Sequence, residues 1–99
     1  MCIRDRWDPV ARALREAWVC GEVSSPNSVP FVSQMSDLVY TCGTRDGMWT
    51  FEAVDWSTGE SRFHYVLGDS RFNTLGAGIT LDEEGRPVFG TIFGKTRIL

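Results

Sequence analysis

Apolar and polar residues follow strand-like patterns along most of the chain after residue 29, and the clearest stretch is Met48–Leu67. Its first part, Met48–Trp56, places apolar side chains on both faces of an extended strand, which predicts a strand that is covered on both sides. The second part, Ser61–Leu67, alternates apolar and polar residues and predicts a strand with one face in solvent. Ser57–Glu60 supplies the hydroxyls and the glycine of a tight turn. We interpret the stretch as a hairpin whose second strand lies nearer solvent.

Short strand patterns recur on both sides of this hairpin, and Gly, Asp, Asn and Ser separate them. They bring the number of predicted strands to seven, the other five being Pro30–Ser33, Leu38–Cys42, Gly78–Leu81, Val88–Ile92 and Lys95–Leu99. The 10 glycines and the 12% of aromatic residues favour strands with tight turns over a helical bundle. The sequence therefore predicts an all-β fold, with the strands arranged as an antiparallel meander.

The segment at residues 7–28 has a different pattern and is interpreted as a helix followed by a loop. Asp8 can cap free N–H groups, and Pro9 fits the first helical position. Gly21 can end the helix. The apolar residues recur at steps of three and four along one stripe: Val10, Ala13, Leu14, Ala17 and Trp18. A short N-terminal helix, with its stripe packed on its own domain, is therefore expected.

Both ends of the chain suggest a fragment. Met1–Arg6 resembles the translated sequencing-adapter tail that occurs on metagenomic reading frames, and such a tail is set aside before fold reasoning. Thr96–Leu99 lies in an apolar, strand-like run without a turn after it. Without Cys2, two cysteines remain, and Cys20 and Cys42 could form a disulfide or could be two small buried residues.

A shift of 49 residues aligns parts of the chain with one another. It places Val39-Tyr40 on Val88-Phe89, and the polar turn at 34–37 on the turn at 83–86. A period of about 40 to 50 residues that holds four strands is typical of a β-propeller blade. On this interpretation one blade spans 29–67, and an incomplete blade spans 78–99.

Two motifs resemble those of a known family. Ala53–Glu60 resembles the A-x-D-x-x-T-G-x turn of pyrroloquinoline-quinone-type and related bacterial β-propeller repeats, and Asp82–Phe89 resembles the D-x-x-G-x-x-Y/F hairpin that opens a blade. The resemblance implies about one and a half blades of a propeller, preceded by the N-terminal helix. The sequence departs from quinone-type repeats because it lacks their regular tryptophan docking signature at the blade ends. A quinone cofactor is therefore not carried over, and the cofactor stays unknown.

Charge and hydropathy limit the partners that the chain is expected to bind. The net charge is −3 and the chain has no cluster of Lys and Arg, whereas nucleic-acid binding requires a basic surface. No apolar run approaches the roughly 20 residues of a spanning helix. The expected partners are therefore the remaining blades of a longer polypeptide, without nucleic acid or membrane, and the ligand is unknown.

Candidate ligand-binding residues follow from the meander. Because turns alternate between the two ends of such a sheet, Thr44–Gly47 should share an end with Gly68–Gly76. In propellers, as the resemblance implies, that end holds ligands around the central channel. The polar candidates there are Arg45, Asp46, Arg71 and Asn73. Two alternatives stay open: Asp46-Gly47 is also an ordinary turn sequence, and Asn73 could simply bind neighbouring loop backbone.

No catalytic constellation can be assembled from the sequence. His64 is the only histidine, and it falls on the polar face of a strand. We therefore expect a ligand-binding or interaction scaffold. The alternative is part of a propeller hydrolase or dehydrogenase whose catalytic residues lie mostly outside these 99 residues.

Overall fold

The computed structural model describes all 99 residues and contains three antiparallel β-sheets. The first sheet consists of β1 (Cys2–Asp8) and β2 (Ala13–Cys20). The middle sheet consists of β3 (Phe31–Ser33), β4 (Leu38–Arg45), β5 (Met48–Asp55) and β6 (Ser61–Gly68). The third sheet consists of β7 (Ile79–Leu81), β8 (Pro87–Thr91) and β9 (Gly94–Arg97). A 3₁₀ turn, Ser70–Phe72, follows the middle sheet. The structure contains no helix with the length and hydrophobicity of a membrane-spanning segment.

The prediction of an all-β chain with antiparallel sheets is confirmed. Each of the seven predicted strands overlaps one strand of the middle or third sheet, β3 to β9. Strands pair with their sequence neighbours in every sheet, so the middle sheet is a four-stranded meander in the order β3-β4-β5-β6. Short turns make this local pairing possible, because a two- to five-residue connection returns the chain beside the strand that it has just left.

The predicted N-terminal helix is wrong, because residues 8–18 form a turn and most of β2. Asp8 does cap N–H groups, but Val10 and Ala11 donate those bonds within a hairpin turn. Arg12 has a φ of 53°, which a right-handed helix cannot accommodate. The predicted apolar stripe does not form a buried face: Val10 is 93% exposed, and Trp18 is the one member of the stripe that is partly buried. Pairing of β2 with β1 along its whole length provides the backbone hydrogen bonds that a helix would have supplied.

The N-terminal residues take part in the first sheet. Cys2–Arg6 form most of β1 and pair with β2 from Cys20 back to Arg15. β1 is therefore the partner strand that β2 requires to form a hairpin. That Met1–Arg6 derives from an adapter tail stays a prediction.

Strand β5 is the most buried strand of the molecule. Every residue from Thr50 to Asp55 is buried, whereas β6 is exposed from Arg62 to Val66. The predicted difference between the two strands of the hairpin is therefore confirmed. Its cause is that β5 lies inside the middle sheet and is covered on one face by the first sheet and on the other by the third.

An aromatic stack joins the middle sheet to the third sheet. Phe51 of β5 lies between Tyr40 and Phe89, with ring centroids 5.6 and 5.7 Å away, respectively. Cys42 and Ile79 form a buried cluster with Phe51 and Phe89, and the partly buried Tyr40 packs against it. Burying a side chain of the size of phenylalanine contributes about 1.5–3 kcal/mol, so Phe51 and Phe89 supply much of the attraction between the two sheets.

A second cluster joins the middle sheet to the first sheet. Val54 of β5 packs with Cys20 at the end of β2 and with Val23 of the following loop. Cys20 and Cys42 are both free and buried, and they belong to different clusters on opposite faces of the middle sheet. The disulfide alternative is therefore not realised, and burial raises the pKa of the Cys42 thiol to about 12.

Trp18 attaches the first sheet to the turn between β5 and β6. Its indole Nε1 donates a hydrogen bond of 2.7 Å to the carbonyl oxygen of Trp56. Its ring lies on Gly59, where a Cβ atom would come within 2.6 Å of Trp18 Cδ2. Trp18 thus holds the first sheet on the middle sheet through a hydrogen-bond partner 38 residues later in the chain. The helix prediction for this segment does not anticipate the contact, because it joins residues that are far apart in the sequence.

The hairpins β1-β2 and β5-β6 are built alike, 47 residues apart. Asp8 and Asp55 each accept two backbone N–H groups from the turn that follows. Each carboxylate also binds an arginine seven residues later, Arg15 or Arg62, at 2.8 and 3.0 Å. The fifth residue of each turn has positive φ. The two hairpins therefore form an internal structural repeat.

The 49-residue shift is not confirmed as a structural repeat. The shift aligns Tyr40 with Phe89. Both rings stack on Phe51, but Tyr40 belongs to the middle sheet and Phe89 to the third sheet. Tyr40 therefore faces the third sheet, and Phe89 faces back toward the middle sheet. Equivalent residues of sheets stacked in one direction would face the same way.

The aspartate that caps the β5-β6 turn should make stability depend on pH. The backbone N–H of Thr58 and the guanidinium of Arg62 lower the pKa of Asp55. A lowered folded-state pKa gives stability that is complete above the unfolded pKa of about 4 and is lost as the pH falls through the folded value. We expect Asp55→Asn to be less stable than the wild type at pH 7 and to lose less stability between pH 4 and 2, as measured by urea midpoints. Asp46→Asn, in an exposed turn, is the matched control, and an unchanged acid dependence in Asp55→Asn would contradict the account.

Candidate functional site

One end of the middle sheet gathers the candidate loops. Trp49 at the start of β5 lies opposite Gly68 at the end of β6, so the β4-β5 turn and the loop after β6 share an end, as predicted. The loop before β3 reaches the same end, where Ser24 bridges to Thr44 of β4. We call the turn at residues 46–47 and the loops at residues 21–30 and 69–78 the loop end.

Arg45 is fixed by a buried carboxylate. Its Nε and Nη2 atoms lie 2.8 and 3.0 Å from the two carboxylate oxygens of Glu52, which is 0% exposed. The Ser61 hydroxyl accepts a further bond from Nη2 at 3.0 Å, and Thr50 donates to the same carboxylate at 2.7 Å. This geometry is bidentate and largely desolvated, which makes the pair strong and directional. The hydrogen bonds of Glu52 raise the pKa of the Arg45 guanidinium.

Glu52 is the residue that sequence reasoning missed. It lies in the middle of β5, and its only sequence signal was a charged residue inside a strand predicted to be covered on both faces. Buried carboxylates require a partner, since an isolated buried charge is very unfavourable. That requirement could have pointed to Arg45 as the partner of Glu52, and a ligand role for Arg45 stays a prediction. Glu22 adds a longer contact of 3.6 Å to Arg45 from the loop before β3.

Asp46 occupies the tip of the β4-β5 turn. It is exposed, and both Asp46 and Gly47 have positive φ, at 50° and 77°. Two successive residues with positive φ are typical of the two-residue hairpin turn that favours Asp-Gly. The turn alternative therefore explains the presence of Asp46, and a ligand role for its carboxylate stays a prediction.

Arg71 lies in the 3₁₀ turn and is largely exposed. Asp69 binds its Nε atom at 2.9 Å, and this contact raises the pKa of Arg71 and lowers the pKa of Asp69. The guanidinium carbon lies 5.9 Å from the centroid of the Phe93 ring, at the tip of the β8-β9 turn. Such an exposed pair is weak and can exchange partners. The charge of Arg71 therefore stays accessible to solvent at the loop end.

Asn73 holds loops together. Its side-chain oxygen accepts bonds from Asn27 Nδ2 at 3.2 Å and from the backbone N–H of Leu75 at 2.9 Å. Its backbone carbonyl accepts a bond of 3.1 Å from Ile92. Asn73 thus ties the loop before β3 to the loop after β6 and to the third sheet, as the structural alternative proposed.

The four predicted residues do not form one constellation. No hydrogen bond or ion pair joins any two of Arg45, Asp46, Arg71 and Asn73. Arg45 and Asn73 make contacts that hold strands and loops together, whereas Asp46 and Arg71 are exposed at the loop end. No three His, Cys, Asp or Glu side chains converge as metal ligands, and His64 is exposed on β6.

An apolar cavity of about 330 Å³ lies between the first and middle sheets. Its walls include Trp18, Val39, Val54 and Trp56, with Thr41 as a polar member. Residues 1–4 also line it. We assign no ligand to this cavity.

Comparisons with known proteins find a similar protein, and its description gives no activity. No protein-family model matches the chain, and no solved structure matches it. An uncharacterized protein of Archaeoglobus fulgidus is 34% identical over 93 residues. The match covers 93% of this chain but only 18% of the archaeal protein. The chain thus resembles one segment of a much longer polypeptide.

The buried ion pair predicts a large difference between two arginine substitutions. Arg45→Ala leaves the Glu52 charge buried without its partner, which should lower the free energy of unfolding by about 3–5 kcal/mol. Arg71→Ala removes an exposed pair and should change it by less than about 1 kcal/mol. Urea unfolding followed by tryptophan fluorescence measures both. Adding Glu52→Gln to Arg45→Ala should restore part of the loss, and equal effects of the two single substitutions would contradict the assignment.

Proposed function

We propose that this chain is a piece of a β-propeller that serves as a ligand-binding or interaction scaffold. The observation that carries the proposal is the order of the sheets: three antiparallel sheets lie face to face in chain order, and the middle one is a complete four-stranded meander. On this proposal the first sheet supplies the last two strands of one blade. The middle sheet is a whole blade, and the third sheet is the first three strands of the next.

The contacts between sheets support a ring of blades, because each sheet uses the same face to contact the sheet that follows it in the chain. Trp18 of the first sheet faces the middle sheet, and Phe51 of the middle sheet faces the third. The repeated β1-β2 and β5-β6 hairpins place these residues on equivalent faces. A stack in which each sheet contacts the next in the same sense can be extended, and a constant twist between sheets closes it into a ring.

The similarity to a longer archaeal protein is compatible with this proposal. The segment that matches covers 18% of that protein, which leaves ample chain for further sheets. Each additional blade of about 40 to 50 residues would bury the outer faces that this chain exposes. The remaining blades are therefore the proposed main partners of this chain.

The loop end supports a scaffold rather than a reaction within these residues. Its exposed charged groups do not converge on one point: Asp46 makes no ion pair, and Arg71 is paired with Asp69. Binding through charged loops at one end of a rigid sheet is a common use of such architectures. We therefore propose that Asp46 and Arg71 contribute to a ligand or partner surface at the loop end.

The structure of the complete archaeal relative tests the architecture directly. We expect its segment that matches this chain to form parts of three adjacent blades around a central axis, with β3 and β7 equivalents innermost. The loop end should then open toward one mouth of the axial channel. A crystal or cryo-electron microscopy structure with an open sandwich, or with this segment as an isolated domain, would contradict the proposal.

A further inference from the structure

Two aromatic side chains of β6 lie half exposed beside the third sheet. Phe63 and Tyr65 are 40% and 49% exposed, with ring centroids 5.7 Å apart. Tyr65 lies directly opposite Phe51 in the β5-β6 pairing, so the two share a face of the middle sheet. Phe51 is fully buried in the cluster that it forms with Phe89, whereas Tyr65 is not a member of that cluster and stays half exposed.

The internal repeat makes Tyr65 the equivalent of Trp18. Each aromatic residue follows the capping aspartate of its hairpin, Asp55 or Asp8, by ten positions. Each also pairs across the hairpin with the residue four positions before that aspartate, Phe51 for Tyr65 and Arg4 for Trp18. The two rings therefore stand at the same place on the same face of equivalent hairpins.

Trp18 shows what a ring at this place does. It crosses to the next sheet, lies on the glycine of an aspartate-capped turn and donates its polar hydrogen to a carbonyl of that turn. Tyrosine has the same two capabilities, a flat apolar ring and a terminal hydrogen-bond donor. The contact of Tyr65 with such a turn would continue the interface that Phe51 and Phe89 already form.

We propose that Tyr65 is a docking side chain whose partner is an aspartate-capped β-turn with glycine at its fifth position. The Tyr65 ring lies on that glycine, and its hydroxyl donates to the carbonyl of the residue after the aspartate. This inference rests on the proposed stacking of sheets for the source of the turn, which is a fourth strand added beside β9. The free outer edge of β9 is the place where that strand pairs.

Glycine is required in the partner for a steric reason. A Cβ atom on Gly59 would come within 2.6 Å of the Trp18 ring, which is closer than nonbonded carbon atoms pack. The turn of the first hairpin carries Arg12 at this position, and its φ is also positive, at 53° compared with 80° for Gly59. The Asp8 turn is therefore closed to an aromatic ring, and Tyr65 of a second copy cannot dock there.

A cyclic peptide tests the proposal with the chain as it stands. The probe is the octapeptide of residues 54–61, closed by a disulfide between cysteines that replace the register partners Val54 and Ser61. The matched control is the same peptide with Gly59→Ala. The readout is the ring resonances of the two tyrosines of the chain, labelled with ¹³C, during titration with each peptide. Tyr40, in the aromatic stack, is an internal reference.

We expect the glycine peptide to shift the Tyr65 resonances and to leave those of Tyr40 unchanged, while the alanine peptide shifts neither. Tyr65→Phe keeps the ring but loses the hydroxyl, and it should weaken binding about 3- to 10-fold. Equal shifts with both peptides, or no shift of Tyr65 at millimolar peptide, would overturn the proposal. Such a failure would not contradict the proposed propeller architecture, which is tested separately by the structure of the archaeal relative.

Discussion

The burial of β5 on both faces holds the three sheets together. One face carries Phe51, whose ring is sandwiched in the aromatic stack toward the third sheet, and the other carries Val54 toward the first sheet. Because alternate side chains of a strand point in opposite directions, a single strand can belong to two hydrophobic clusters at once. A two-sheet contact of this size would be marginal by itself, since a chain of about 100 residues leaves much of its surface in water.

Polar groups inside this arrangement set its geometry. Glu52 lies on the same strand as the two clusters, and its bidentate contact with Arg45 fixes β5 against the end of β4. At the opposite end of the strand, Asp55 closes the turn whose carbonyl and glycine receive Trp18. Hydrophobic burial supplies the attraction, whereas the directional contacts fix positions: Arg45 and Glu52 within the middle sheet, and Trp18 between the first sheet and the middle sheet.

The strands could be predicted from the sequence because their signals are local. Alternation and turn residues located β3 to β9, and the two-sided pattern of Met48–Trp56 correctly indicated a buried strand. The first hairpin could not be found in this way, because Asp8-Pro9 starts hairpin turns as well as helices and only pairing with β1 decides between them. The site was harder still. The ion pair of Arg45 with Glu52 joins neighbouring strands through their register, and the contact of Trp18 with Gly59 crosses between sheets, so neither follows from spacing alone.

Native-state hydrogen exchange tests the central role of β5 most directly. If β5 holds the sheets together, the amide protons of Phe51 and Ala53 should exchange most slowly in the chain and only through global unfolding. The amides of β2 and β8, which depend on β5 for burial, should approach the same rate. Slower exchange in β2 or β8 than in β5, or independent opening of the middle sheet while the others stay protected, would contradict the account.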